Sequence, residues 1–415
     1  MLAKKPDIIL LALARWDGPY SSTAFSLAKE LSRECRVFYV DNPFTIKRAL
    51  RRFRGKQVQS RLQPLFLGRS VEKPIDSENK NLINVRPYIV VPINFLKRGT
   101  LYTFLSKVNN FILNHAIESV VRKHNLSDYI VINSFNPFYL REFRKLKPAL
   151  SIYHCVDNMG ESKYIRKHGK YLEESVMQNY DITITTSKKL FEKASAFSKQ
   201  VFYLPNAADF NHFHTATNQS FDPPKELVGL KKKKIIGYIG NICLRINYQL
   251  IKQISESHPD KTILMVGPVT DQDLYRYELD KQPNIVITGQ KSYQELPRYL
   301  HFMDCAIIPF KCNELTSNIY PLKLNEYLAA GKPVVTTNFS PDLEDFCSII
   351  KIEDSIESFV AAIAEEIETD NENKQQRRMT VAKKNTWGSR VEEFWLKVEP
   401  FIHKEKKGQY VSQEG

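Results

Sequence analysis

Long hydrophobic runs are missing from this 415-residue chain. The N-terminal "MLAKKPDIILLALARWDG" has an apolar stretch of about seven residues, short for a secretion signal and far below the roughly 20 that span a bilayer. No other segment comes closer, so the expectation is a cytoplasmic chain without a transmembrane helix. Paired cysteines are missing too. The six, at 35, 155, 243, 305, 312 and 347, form no Cys-x-x-Cys, and none stands beside a histidine at ligand spacing. Neither a zinc site nor a disulfide framework is indicated, and reduced thiols are expected. Acid is in short supply: 60 Lys and Arg face 46 Asp and Glu, a formal charge of +14. That excess suggests an anionic partner such as a nucleotide, a diphosphate, a membrane surface or nucleic acid. The usual nucleic-acid-binding motifs are absent, which makes a basic nucleic-acid-binding protein the weaker reading.

What is present is an ordinary globular composition, 42% hydrophobic and 26% charged, on a chain long enough for two domains. Short apolar runs alternate with amphipathic stretches. Strands are expected at "DIILLAL", "RVFYVD", "DYIVINS", "LSIYHCV", "ITITTS" and "VFYLPN". Helices are expected between them, including "STAFSLAKELSR", "LYTFLSKVNNFILNHAIESVVRKHN", "FYLREFRKLK" and "YLEESVMQNY". A polar stretch with Pro-Pro, "FNHFHTATNQSFDPPKELVGLKKKK", reads as a linker with a solvated lysine run. The pattern then restarts through "KIIGYIGN", "TILMVGP", "NIVITG", "CAIIPF", "PVVTT" and "SIIKIE". Such alternation predicts an α/β protein of two doubly wound domains: 1–212, a linker 213–234, and 235–389. A final helix, 390–405, has no strand after it, and the tail beyond it is expected to fray.

"TSNIYPLKLNEYLAAGKPVVTT", residues 316–337, carries the most chemistry. Tyr320–Pro321 marks a helix start, where proline's missing N–H costs nothing. Lys323 and Glu326 follow, one turn apart on one face. The unpaired N–H groups and dipole of a helix start, with a lysine beside them, suit an anion. Glu326 cannot bind that anion but can accept hydrogen bonds from a diol such as a ribose. Phosphate beside ribose is a nucleotide; the plain alternative is a solvated Lys–Glu pair. "GYIGNICLRINY" offers a second strand–loop–helix, with Gly237 and Gly240 allowing close backbone approach and Arg245 as a further cation.

"GYIGNI", "MVGP", "NIVITGQKSYQELPRYLHFMDCAIIPF" and "YPLKLNEYLAAGKPVV" resemble the group 1 (GT4-like) glycosyltransferases of the GT-B fold, most of all the subgroup for teichuronic-acid-type and exopolysaccharide synthesis. The resemblance covers the second domain and is looser in the first, through "LARWDGPYSS", "SIYHCVDN" and "YLPNAADFNHF". It implies two Rossmann-like domains facing across a cleft, with a nucleotide-sugar on the C-terminal domain and the acceptor on the N-terminal one. It also implies a final helix returning to the first domain, and a retaining transfer that needs no metal. Carried over by position, Glu326 matches the glutamate that holds the ribose, and Lys323 and Arg245 the basic pair on the diphosphate. The backbone of Gly289 and Gln290 falls where the nucleobase is placed. The family's Glu-x7-Glu would put an acid at position 318, where this chain has Asn318, leaving the donor sugar open. The expected reaction moves a sugar from a UDP- or GDP-sugar to a glycan or lipid-linked acceptor in bacterial surface polysaccharide synthesis. A nucleotide-sugar epimerase of the same fold is the alternative.

In the first domain, Asp157 could orient or deprotonate an acceptor hydroxyl, and His154 could hydrogen-bond a sugar or phosphate; a helix cap is the plainer account of Asp157. Asp17 and Gly18, after the first strand, are candidates for the acceptor side, with an ordinary turn as the alternative. Asp271 and Asp273 imitate a metal-binding Asp-x-Asp but read better as a helix cap. Residues 42–71 hold eight basic residues and no acid. Ile46, Ala49, Leu50 and Phe53 recur there at helical spacing, so residues 44–54 predict either a basic amphipathic helix on the inner membrane face or a solvated domain helix.

Overall fold

The structure, a computed structural model, describes residues 5–18, 22–45, 71–159, 163–229 and 233–402. Of the basic stretch 44–54 only Phe44 and Thr45 are among them; the rest, part of the lysine run and the tail expected to fray lie outside the described residues. The chain divides into two compact units. One comprises Met1–Leu204 with Val391–Gly415, the other Pro205–Arg390.

The first unit runs β1 (Asp7–Ala12), α1 (Thr23–Leu31), β2 (Val37–Val40), β3 (Val71–Pro74), β4 (Leu82–Arg86), α2 (Thr100–Lys123), β5 (Tyr129–Ser134), β6 (Leu150–Cys155), α3 (Lys163–Asn179), β7 (Ile182–Thr185), α4 (Lys188–Ser195) and β8 (Val201–Tyr203). Among the described residues these strands form one sheet in the order β3-β4-β2-β1-β5-β6-β7-β8. Only β3 is antiparallel to its neighbour. Strands β1, β2, β5 and β6 are buried along their whole length, which is why they read as near-continuous apolar runs rather than alternating ones. Ser22 and Ser187 start α1 and α4 by accepting from Phe25 N and Leu190 N, each at 3.2 Å.

The second unit runs α5 (Phe210–Asn218), β9 (Ile235–Ile239), α6 (Tyr248–Ser257), β10 (Thr262–Val266), α7 (Asp273–Arg276), β11 (Ile285–Gly289), α8 (Leu296–His301), β12 (Cys305–Ile308), α9 (Glu314–Ser317), α10 (Leu322–Ala329), β13 (Val334–Thr337), β14 (Lys351–Glu353), α11 (Ile356–Thr369) and α12 (Glu372–Lys384). Its sheet is parallel, ordered β11-β10-β9-β12-β13-β14. The winding reverses between β9 and β12, and in such sheets ligands bind outside the carboxyl ends at that reversal. Helix α13 (Trp387–Ile402) follows, and from Val391 it belongs to the first unit. There Val391, Phe394, Trp395 and Val398 are buried, and Lys5 lies 4.8 Å from the Trp395 ring centroid while pairing with Glu399.

Two segments differ from expectation for physical reasons. "FYLREFRKLK" is not helical. Leu140 and Arg144 take positive φ, 53° and 46°. Carbonyls that a helix would use are taken by the core: Tyr180 Oη donates to Leu140 O at 2.7 Å and Asn133 Nδ2 to Tyr139 O at 3.1 Å. The expected linker 213–234 begins inside a helix instead. Asp209 caps α5 by accepting from His212 N at 3.1 Å, and Phe210, Phe213 and Ala216 enter the second unit's core. Arg298 Nε then donates to Asp222 O at 2.7 Å, and Lys291 pairs with Glu226 at 2.6 Å. The unit boundary therefore falls at Leu204/Pro205, because this polar stretch is bonded onto the second unit.

The loops after β9 and β10 touch through backbone. Gly240 N donates to Val266 O at 2.8 Å. A Cβ on Gly267, whose φ is +149°, would fall 1.9 Å from Gly240 O. No rotamer change relieves a clash with backbone. Gly267→Ala should therefore lower the melting temperature, at a cost of about 1–3 kcal/mol. Thermal unfolding by circular dichroism checks this, and an unchanged melt would contradict the close approach.

Candidate functional site

Helix α10 begins at the carboxyl end of the second sheet. Its N-cap is Pro321, whose ring has no group to cap the helix start; Leu322 N donates to Tyr320 O at 2.8 Å and Leu324 N to Pro321 O at 2.9 Å, so the positive end of the helix and the Lys323 side chain are what an anion there would meet. Helix position is set by Tyr327, whose hydroxyl accepts from Ile239 N at 2.8 Å at the end of β9. Lys323, about one turn earlier, lies against the loop after β9, and Glu326 is close enough to Lys323 and Tyr293 to act on both electrostatically.

Lys323 lies across Gly240. A Cβ there would sit 2.2 Å from Lys323 Cε and 3.0 Å from its Nζ. The ammonium stands 5.6 Å from the Phe310 ring centroid and 5.8 Å from that of Tyr238. Burial lowers its pKa; Glu326 opposes that shift and the Arg245 charge adds to it. Burial likewise pushes the Glu326 carboxyl up to about 7, against the pull of Lys323. Two ionisable groups are thus held partly desolvated side by side, with a second cation, Arg245, near, an arrangement that an incoming anion and hydrogen-bond donors would relieve.

Backbone contacts extend the site. Gly240 touches Gly267, and Gly267 bridges to Gly289 at the end of β11. The structure thus links Lys323, Gly240 and Gly289 in one chain of contacts, with Gln290 exposed just beyond. Asn318 is buried at the end of α9 and donates to Glu314 O at 2.6 Å. A neutral amide stands where the family pattern has an acid.

Sequence reading missed four neighbours. Tyr238 and Phe310 flank the lysine. Tyr293, raised by burial and then by Glu326 and Asp209, stacks on His212 with centroids 4.2 Å apart. Asn325 donates to Asn206 O at 3.3 Å and to Tyr320 Oη at 3.1 Å, although spacing alone makes it an ordinary helix residue. The signal for Tyr293 was its place three residues after Gln290.

The first-unit candidates sit at the carboxyl edge of their own sheet. His154, at the end of β6, is buried, with Nδ1 3.1 Å from Ser134 Oγ; burial lowers its pKa to about 4, so it is neutral at pH 7. Asp157 is partly exposed and accepts from Asn158 N at 2.7 Å. Asp17 faces Arg15 Nε at 3.9 Å, and Gly18 N donates to Arg15 O at 3.2 Å. Of the Asp-x-Asp pair, Asp271 accepts from Asp273 N at 3.3 Å and Asp273 pairs with Arg276 at 2.8 Å; the expected helix cap is instead a local turn, since the N-cap of α7 is Gln272, which makes no side-chain capping bond.

Gly240→Ala should push the Lys323 side chain off the site. Binding of inorganic pyrophosphate should weaken roughly tenfold, the loss of one charge-assisted contact. Titration calorimetry showing unchanged affinity would contradict this geometry.

Known proteins resemble this chain in sequence over part of its length and in fold over nearly all of it. Over 182 residues the chain is 33% identical to the "Putative teichuronic acid biosynthesis glycosyltransferase TuaH" of Bacillus subtilis (strain 168), across 43% of this chain and 45% of that protein. The match therefore spans less than half of the relative's length. Among solved structures, sucrose-phosphate synthase of Thermosynechococcus elongatus aligns with TM-score 0.60 at 14% identity, covering 99% of each chain. An alpha,alpha-trehalose-phosphate synthase (UDP-forming) from Burkholderia vietnamiensis aligns with TM-score 0.68 at 10% identity, covering 97% of this chain and 100% of that one. A trehalose-6-phosphate protein from E. coli bound with UDP-2-fluoro glucose aligns with TM-score 0.66 at 11% identity, covering 95% and 99%. At these identities the likeness is one of fold, and the fold is GT-B. Residues 233–369, which hold every donor-side candidate named above, match the family described as glycosyl transferases group 1.

Proposed function

We propose that the protein transfers a sugar from a UDP- or GDP-sugar to a glycan or lipid-linked acceptor in bacterial surface polysaccharide synthesis. The observation that carries this reading is the pairing of Lys323 and Glu326 on one face of α10, with the lysine laid over Gly240. A diphosphate at the helix start would meet the positive end of the helix, Lys323 and Arg245, which stabilise the charge that develops as the nucleoside diphosphate leaves. Ribose hydroxyls would donate to Glu326. The relative's name supports a surface polysaccharide, and the neighbour bound with a UDP-sugar supports the donor class. Asp157 is proposed to orient the acceptor hydroxyl, with His154 as a neutral hydrogen-bonding group behind it and Asp17 and Gly18 on the acceptor side. Retention of configuration and independence from metal belong to the same proposal. Asp271 accepts through one oxygen within a turn and Asp273 pairs with Arg276; turnover should survive EDTA, and restoration by manganese after chelation would return them to consideration.

Lys323→Ala and Glu326→Ala should each weaken donor binding by about 1.5–3 kcal/mol without lowering the melting temperature. Equal calorimetric affinities in both variants and the parent would overturn the site. The pH dependence has a definite sign. The Glu326 carboxyl titrates near 7 when the site is empty, and a hydroxyl donor prefers its ionised form. Donor binding should therefore release a proton and tighten as pH rises through about 7. Glu326→Gln should flatten that dependence. An epimerase would instead convert a nucleotide-sugar with no acceptor present, which one NMR time course distinguishes.

A further inference from the structure

The outward face of α2 takes no part in the proposed reaction. This helix buries Tyr102, Asn109, Leu113, Ile117 and Val120, and the opposite face of a solvated helix is normally charged. Here Leu101, Phe104 and Phe111 stand 58%, 63% and 54% exposed. With Val108 and His115 they fall in an arc of about 80° along about 21 Å of helix. Phe95, just before the helix, is 65% exposed. A single exposed apolar residue needs no explanation, whereas an aligned run marks a surface that something covers.

Cations edge this stripe. The Arg144 guanidinium lies 5.3 Å from the Phe111 ring centroid. Lys107 and Lys145 are exposed, and Lys97 and Arg98 precede the helix. Lys167 Nζ donates to Phe95 O at 2.6 Å. Between Glu78 and Glu118 the sequence has no acidic residue, and Glu142 is the one acid in the adjoining segment 141–147. Aromatic side chains bordered by Lys and Arg match the boundary of an anionic bilayer, where rings enter the headgroup region and cations meet phosphates. A second copy of the chain would bring the same cations face to face, which like-charge repulsion disfavours.

We infer that the outward face of α2, centred on Leu101, Phe104 and Phe111 and edged by Lys107, Arg144 and Lys145, docks on an anionic lipid surface. None of these residues belongs to the stretch 44–54 in the sequence, and the inference does not depend on the sugar-transfer reading.

The test sediments the full chain with vesicles of phosphatidylglycerol and phosphatidylcholine, or of phosphatidylcholine alone, with no nucleotide-sugar present. Binding should require the anionic lipid and fall on the order of tenfold as the screening length shrinks from about 10 Å to about 3 Å. The double variant Phe104→Ser with Phe111→Ser should lose roughly tenfold or more of the partition, with melting temperature and gel-filtration volume unchanged. The inference is overturned if the parent chain ignores anionic vesicles or if the double variant binds like the parent. It is overturned in favour of the other stretch if only Arg48→Glu with Arg51→Glu and Arg52→Glu releases the protein. It is overturned in favour of a second copy if the Phe variant turns a dimer into a monomer while vesicle binding stays. None of these outcomes touches donor binding, so the two readings fail separately.

Discussion

One phenol sets the register of helix α10 against the second sheet. Tyr327 Oη accepts from Ile239 N at 2.8 Å, where the last residue of β9 would otherwise leave a buried donor unmatched. Because that bond holds α10 at one rotation, Lys323 projects over Gly240 and Glu326 lies on the same face. The glycine at 240 is then required twice: its φ of +149° suits no side chain, and its missing Cβ is the space the lysine occupies. Gly267 repeats the requirement one strand over, since its own missing Cβ lets the β10 loop sit on the Gly240 carbonyl.

The electrostatics of α10 follow from this crowding. Burial works against ionisation of both Lys323 and Glu326, lowering one pKa and raising the other, and their mutual attraction only partly offsets it. Such a pair is a poor stabiliser of an empty fold. It becomes favourable when an anion arrives at the lysine and hydroxyl donors at the glutamate. Stability and function are thus set against each other at one helix turn, which is where strain is commonly stored in binding sites.

Much of this was legible in the sequence. The buried parallel strands appear as unbroken apolar runs, so β1, β5, β6, β9, β10 and β12 were all placed. The α10 motif was read because proline, lysine and glutamate each restrict what a helix start can do. The strands that escaped, β3 and β4, are short and rich in polar residues, with Lys73, Asn84 and Arg86 breaking the apolar pattern. Helix α5 escaped because only Phe210, Phe213 and Ala216 of its nine residues are buried, too few to stand out among Asn, His and Thr. For His154 the difficulty was different. In a sheet covered on both faces, alternation no longer tells which side chains are enclosed, so sequence reading could put it at a strand end but not foresee its burial beside Ser134. Tyr238, Phe310 and Tyr293 reach Lys323 and Glu326 only through the fold, since no local pattern joins residues so far apart in the chain.

The central claim, that α10 holds a nucleoside diphosphate through Lys323 and Glu326, is met most directly by a crystal structure of the protein with UDP or GDP. The account predicts the terminal phosphate within hydrogen-bond distance of Lys323 Nζ and the first turn of α10, with the ribose hydroxyls on the Glu326 carboxylate. A nucleotide ordered elsewhere in the second unit, leaving Lys323 and Glu326 untouched, would contradict it.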